Sequence, residues 1–188
     1  MGETKKKPYY KSDICEVSRM ENETGDGIST AFRVFPGIYL LHSDFHMQEC
    51  PTVKSDDADI LWLDFCREGR VEWEISKDKY VYLESGNYVI DIRAGRKFTL
   101  HFPMGHYHGI SLRIHMKEAN QALADFIKGV NIDVYTIRDK FLSEGQPFIT
   151  KGNEIIHHIF EEIEQVPWDS SGEYYKIKVL EILFQLKT

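Results

Sequence analysis

A chain of 188 residues, 42% hydrophobic and 28% charged, is sized for one domain or one domain with an appendage, and is too apolar to be disordered. Thirty acidic against twenty-three basic residues give a formal net charge of −7, which repels a nucleic-acid backbone and excludes DNA as a strong partner of this chain by itself. No run approaches the ~20 apolar residues of a membrane span, the basic start MGETKKKPYYKSD lacks the apolar stretch of a signal peptide, and Cys15, Cys50 and Cys66 show no CxxC spacing, so free thiols in a reducing cytoplasm, with no membrane partner, are expected.

Residues 1–27 are polar, charged and punctuated by glycine, the pattern of a flexible N-terminal arm that gains order only by lying on the rest of the chain. From Ile28 to about residue 116, short β-type runs alternate with turn residues. FRVF and IYLLHSDF are split by Pro36-Gly37, ILWLDFC ends at Arg67-Glu68-Gly69, and VEWEI alternates cleanly up to a polar turn at 76–79. YVYL, a turn at Glu84-Ser85-Gly86-Asn87, NYVIDI, a turn at Arg93-Ala94-Gly95, and KFTLHF follow. Many short strands at this spacing predict a sandwich or barrel.

The run from Phe102 to Ile114 closes that series. Strand alternation puts His106, His108, Ile110, Leu112 and Ile114 on one face, with Tyr107, Ser111, Arg113 and His115 on the other. An apolar face ended by paired imidazoles fits a ligand pocket in a barrel mouth, with mostly apolar walls and a few convergent polar groups, although hydrogen-bonded core histidines give the same pattern. His106, His108 and Ile110 are therefore the first candidates for contact with a small molecule. Trp73 shares the Val71, Trp73, Ile75 face, opposite Glu72 and Glu74, and is expected inside, whereas Trp62 in ILWL is apolar on both sides and its direction stays open.

The period then changes to helical. Ala119, Ala122, Leu123, Phe126 and Ile127 form one stripe closed by Gly129, and Asp133 can cap a second helix with Val134, Ile137 and Phe141 inward, ended near Gly145 and Pro147. Asn153 can cap a third, striped by Ile155, Ile156, Ile159, Phe160 and Ile163, and the pattern Ser170-x-x-Glu173 opens a fourth that runs to the end. That last helix has two apolar arcs, Val179, Ile182, Leu183 and Leu186 on one side and Ile177, Leu180 and Phe184 on another. One arc can pack on its own domain; the other needs a partner, and a twofold homodimer through Val179, Ile182, Leu183 and Leu186 is expected. The chain stops at LFQLKT without a stop signal, as expected of a piece of a longer parent.

Barrel, helices and a two-faced final helix resemble the N-terminal effector-binding and dimerisation half of AraC-type transcriptional regulators. FCREGRVEWEI resembles the family's hairpin entered through a short EG turn, and YVYLESGNYVIDI its L-x-x-GD strand-turn-strand, with Asn87 in place of Asp. GHYHGISLRI resembles the inner strand that ends the barrel, and YYKIKVLEILFQL the linker-proximal helix. The resemblance covers about Ile28 to Thr188 and implies an α+β fold. Residues 28–116 would be a cupin-like jelly-roll β-barrel that senses a small-molecule effector, and 117–188 a helical dimerisation region. It further implies that Arg33 contacts effector, as an arginine in the first strand does in a sugar-responsive member, and that DNA is reached only through a helix-turn-helix domain not present in this chain.

Cupins also include metal enzymes, so a metal-dependent isomerase or dioxygenase is the alternative. Their metal pattern is HxH, a Glu a few residues on, and a second His after PxG. Asp64-Phe65-Cys66 stands where HxH is due, and Pro103-x-Gly105-x-x-His108 has Lys97 where a glycine belongs. A Zn²⁺ shared by His106 and His108 wants a third protein ligand, and none stands at useful spacing, so no metal, no other cofactor and no third metal-capable side chain beside them is expected. Nucleophile elbow, phosphate-cradling loop, HExxH and dinucleotide fingerprint are all absent from the sequence, and no catalytic residue is assigned.

Overall fold

The computed structural model describes residues 5–167 and 171–188, so the Ser170 half of the capping pattern lies outside the described residues. The strands are β1 (Lys5–Lys11), β2 (Cys15–Asn22), β3 (Gly25–Phe35), β4 (Ile38–His46), β5 (Glu49–Pro51), β6 (Ile60–Ser76), β7 (Lys79–Glu84), β8 (Asn87–Asp91), β9 (Thr99–His101), β10 (Tyr107–His115) and β11 (Phe148–Lys151). The helices are α1 (Met116–Phe126), α2 (Val134–Phe141), α3 (Glu154–Gln165) and α4 (Ser171–Lys187), none long and apolar enough to cross a membrane. The strands pair antiparallel in the order β1-β2-β3-β4-β10-β6-β8-β11, while β5, β7 and β9 complete a smaller layer on the far half of β6.

Residues expected to be a loose arm are strands instead. β1 and β2 pair from Lys5↔Glu21 to Lys11↔Glu16 with one register shift between Pro8 and Tyr10, and β2 pairs along its whole length with β3, from Cys15↔Phe32 to Asn22↔Gly25. Ser18 and Met20 alternate inward from β2, a period-two pattern hidden in sequence by the charges on its outer face.

β6 departs from expectation in a second way. The Arg67-Glu68-Gly69 signal does not end a strand: β6 runs through it with a bulge, His108 pairing with Glu68 and Gly109 with Cys66, and Gly69 taking φ +82°. Opposite that bulge, Ser85-Gly86 is likewise no hairpin. β7 and β8 lie end to end along the same edge of β6, Arg70↔Glu84 on one side and Phe65↔Tyr88 on the other. The Gly86 N–H donates to the Cys66 carbonyl at 2.8 Å and the Ser85 hydroxyl to the Arg67 carbonyl at 2.6 Å. Glycine is needed at both bends because each has a positive φ, +82°, and because a Cβ on Gly69 would sit 2.4 Å from the His106 carbonyl oxygen. Two paired strands thus bend together and carry the sheet from its helix-covered part to the smaller layer.

The curled sheet has two apolar sides. One, with Ile38, Leu40, Leu61, Leu63, Ile110, Leu112 and Ile114, packs beneath the helices. The other, with Phe45, Val71, Trp73, Leu83, Phe102 and Tyr107, forms the barrel interior. Asp133 and Asn153 cap α2 and α3 as predicted, accepting from Tyr135 N and Ile156 N. α3 buries Ile156, Ile159, Phe160 and Ile163, while Ile155 points outward. β11, unforeseen in sequence, adds Phe148–Lys151 to the edge of β8.

α4 turns inward the arc that was expected to meet a partner. Val179, Ile182 and Leu183 are 0% exposed and Leu186 4%, all buried within the same chain against β3 and the neighbouring helices, so this arc is no dimer interface. Ile177 and Phe184 on the other arc are 59% and 45% exposed.

His42 of β4 is enclosed on the helical side, 3.2 Å from Tyr175 Oη and edge-on to Phe32. Burial lowers its pKa from 6.5 to about 4. Because the folded state favours neutral imidazole, this contribution is intact above pH ~6.5 and is lost as pH falls towards 4, up to on the order of 3 kcal/mol. Urea midpoints at pH 7.5 and 4.5 should therefore differ less in His42→Gln than in the unmodified chain; an equal drop in both would assign the acid lability elsewhere.

Candidate ligand cavity

A cavity of about 360 Å³ lies inside the barrel, between the interior face of β2, β3, β4, β6 and β10 and the segment joining β8 to β9. Its size falls within the ~300–1,000 Å³ of small-molecule pockets. β10 contributes Tyr107, Ser111 and Arg113; β6 contributes Trp62, Asp64, Val71 and Trp73. The odd-numbered residues of β4, Leu41, Ser43 and Phe45, extend the same wall on the other side of β10. A second recess of about 420 Å³, somewhat more open and mostly polar, lies near Glu74, Lys77, Lys97 and His101.

The cavity's polar groups form one network. Ser111 Oγ donates to Asp64 Oδ1 at 2.6 Å across the β10–β6 pair, and the Arg93 guanidinium binds the other Asp64 oxygen. Arg93 lies over the rings of Trp62 and Trp73, 4.8 Å and 5.3 Å from their centroids, and its Nε is 3.7 Å from Asp91 Oδ2. Arg96 donates to Asp91 Oδ1 at 2.6 Å and to the Ile92 carbonyl. Burial raises the pKa of Asp91, whose side chain is 4% exposed, and the Arg93 and Arg96 charges oppose that rise. Burial also pushes the Tyr107 phenol well above its usual value, so it stays a neutral hydrogen-bonding group. Arg113 sits over the Tyr39 ring at 4.5 Å and is 6.0 Å from the Trp62 centroid.

Of the residues singled out in sequence, the cavity brings together Trp62 and Trp73 and leaves out the rest. The alternation of β10 was read correctly but the wrong face was assigned to the interior. Ile110 is 0% exposed in the core under the helices, so Ile110→Trp, which would fill the pocket if the assigned face were interior, would instead overpack that core. His106 precedes the strand, with Nδ1 3.3 Å from the Met104 carbonyl oxygen, and does not line the cavity. Arg33 is outside as well, on the surface, 3.4 Å from Glu118. Arg93, Arg96, Arg113, Asp64, Ser111 and Tyr107 were missed.

His108 meets two metal-capable groups that its sequence neighbourhood lacks. Its Nε2 is 3.1 Å from Asp44 Oδ1, which is 2.9 Å from His46 Nε2, and one ligand atom from each lies within 4.8 Å of the others. This corrects the expectation that no other metal-capable side chain converges on His108. The trio arises because Asp44 and His46 alternate on β4 and His108 is paired with Asp44 across β10. Two imidazoles and a carboxylate are a plausible donor set for a divalent metal. It lies on the outer side of the sheet, away from the cavity. Within the cavity the lining residues include no histidine, and Asp64 is already held by Arg93 and Ser111, so a cupin-type metal centre does not fit there.

No protein-family model matches this sequence, and neither does any curated protein. Among solved structures, the AraC-like transcriptional activator CuxR matches with a TM-score of 0.50 at 10% identity, over 93% of this chain and 62% of CuxR. The Cupin_2 domain of an XRE family transcriptional regulator from Enterobacter cloacae matches with a TM-score of 0.41 at 11% identity, over 47% of this chain and 95% of that domain. FeII HppE matches with a TM-score of 0.42 at 13% identity, over 56% of this chain and 59% of HppE. At 10% identity the likeness to CuxR speaks to fold alone, here a curled antiparallel sheet packed with helices, and to no activity.

Proposed function

We propose that this cupin-like chain is the small-molecule-sensing and dimerising part of a transcription regulator, working in a reducing cytoplasm, with DNA contacted through a domain outside this sequence. The observation that carries the reading is the half-open cavity, whose aromatic walls hold buried polar groups without protein partners, among them Trp73 Nε1 and Arg113 Nε. Such groups are strongly disfavoured unless something else completes their hydrogen bonds. A ligand there touches β2 and β3, whose outer continuation is β1, and can bias the packing of β3 against α4; to act as an effector it must bind one arrangement better than another. A second copy would cover Ile177, Leu180 and Phe184.

Thermal unfolding against a library of metabolites tests the sensing role. Ligands that raise Tm in the unmodified chain and lose their effect in Ala31→Trp, which fills the cavity wall, are expected. No stabilising ligand, or stabilisation indifferent to that substitution, would count against the reading.

The alternative, a metal-dependent cupin enzyme, draws on the Asp44, His46 and His108 trio. Because that trio is on the outer face, protein purified without chelator should carry substoichiometric zinc, iron, manganese and nickel. Near-equimolar metal by elemental analysis, lost in His108→Ala, favours the enzyme instead.

A further inference from the structure

We propose that the ligand of this cavity is a monocarboxylic acid with an apolar, preferably planar body, its carboxylate held by Arg113; this rests on the cavity being the sensing site. The charges at the cavity do not balance. Arg93 and Arg96 are matched by Asp64 and Asp91. Asp91 stands behind the lining, and Glu16, the one acidic lining residue besides Asp64, has a 45% exposed side chain and lies 3.8 Å from Lys11. Three arginines against two aspartates leave one positive charge, and it belongs to Arg113. Among the described residues no carboxylate pairs with it, and its Nε is buried without an acceptor.

Its neighbours explain why it stays so. Arg113 pairs across the sheet with Tyr39 of β4 and Trp62 of β6, and the two rings flank the guanidinium while offering no acceptor oxygen to its buried Nε. Ring faces attract a guanidinium but do not replace the hydrogen bonds lost from water. A second group points to the same ligand chemistry. Trp73 is 1% exposed, and its indole Nε1 lines up no acceptor either. Both groups are donors, so both are completed by acceptor oxygens, and a carboxylate presents two to a guanidinium in fork geometry. One surplus charge favours a monoanion; a phosphate dianion would leave negative charge beside Asp64. Trp62, Trp73, Phe45 and Tyr107 supply the flat apolar walls for the remainder.

The test is calorimetric titration of the full chain with phenylacetate, indole-3-acetate and decanoate, each beside its primary amide. At least one acid should bind about tenfold or more tightly than its amide, the size of a charge-assisted hydrogen bond. That ratio needs no variant. In Arg113→Met it should collapse to about one, while Arg113→Lys, which keeps charge but loses the fork, should retain part of it; circular dichroism and Tm verify that each variant is folded. Amides that match their acids, acid binding unchanged in Arg113→Met, or library ligands that are all neutral or cationic would overturn the acid class and leave the sensing role standing. A cavity that takes neither acids, amides nor any library compound overturns both.

Discussion

Leu183→Glu should leave the chain without a cooperative unfolding transition at 25 °C. Leu183 is 0% exposed, flanked on α4 by Val179 and Ile182, also 0%, in the core beneath the sheet. Removing a buried leucine side chain costs about 2–5 kcal/mol before any charge is considered. An unpaired carboxylate in the same place adds several more, together comparable to the ~5–15 kcal/mol that holds a domain folded. Had this arc been the dimer interface, the same substitution would give a folded monomer, so circular dichroism in urea separates the two arrangements. Glutamates at Ile177 and Phe184, on the outward arc, should change stability by no more than about 1 kcal/mol. In light scattering they should convert a dimer to a monomer. A folded Leu183→Glu chain would mean that α4 does not pack as found, and an unmodified chain that is monomeric at high micromolar concentration would remove the dimer.

Arg93→Ala has the next largest expected effect. Its guanidinium binds Asp64, approaches Asp91 and covers Trp62 and Trp73, and all three charged side chains are mostly buried, 17%, 10% and 4% exposed. Breaking a buried pair by deleting one member costs about 3–5 kcal/mol, chiefly because the other charge stays buried. Asp64 keeps the Ser111 hydroxyl and Asp91 keeps Arg96, so the lower end, about 3 kcal/mol, is expected. Adding Asp64→Asn should recover part of the loss in urea unfolding, since the amide needs no counter-ion. No recovery would show that Arg93 acts through its packing on the tryptophans and not through charge.

Most central strands, the helices and their caps were legible because they follow local rules, whereas β1, β2 and β11 were not. Apolar period, the capping side chains Asp133 and Asn153, and β-branched runs reported what lies within a few residues. What failed needed information from across the sheet. On β10 the aliphatic trio Ile110, Leu112 and Ile114 looked like a pocket wall, yet three aliphatics in register fit a face covered by helices. Tyr107, Ser111 and Arg113, each part apolar and part polar, carry the composition of a ligand-facing wall. Turn signals at Gly69 and Gly86 were real as positive-φ positions, but whether a chain bends or reverses there depends on the opposite strand, which bends with it. The cavity arginines at 93 and 96 stand in a segment that reads as a solvated turn, and only the fold brings Asp64 and Asp91 beneath them. The Asp44, His46 and His108 trio was invisible for the same reason, being split between two strands more than sixty residues apart in sequence.

β10 turns Tyr107, Ser111 and Arg113 towards the interior cavity and its histidine face away. Titrating ¹⁵N-labelled protein with the tightest library ligand, and following the indole N–H of Trp62 and Trp73 beside the imidazole resonances of His46 and His108, tests it most directly. Saturable shifts at both indoles with one shared Kd, and imidazoles that do not move, are expected. Shifts at the imidazoles with Trp62 and Trp73 unchanged would contradict it.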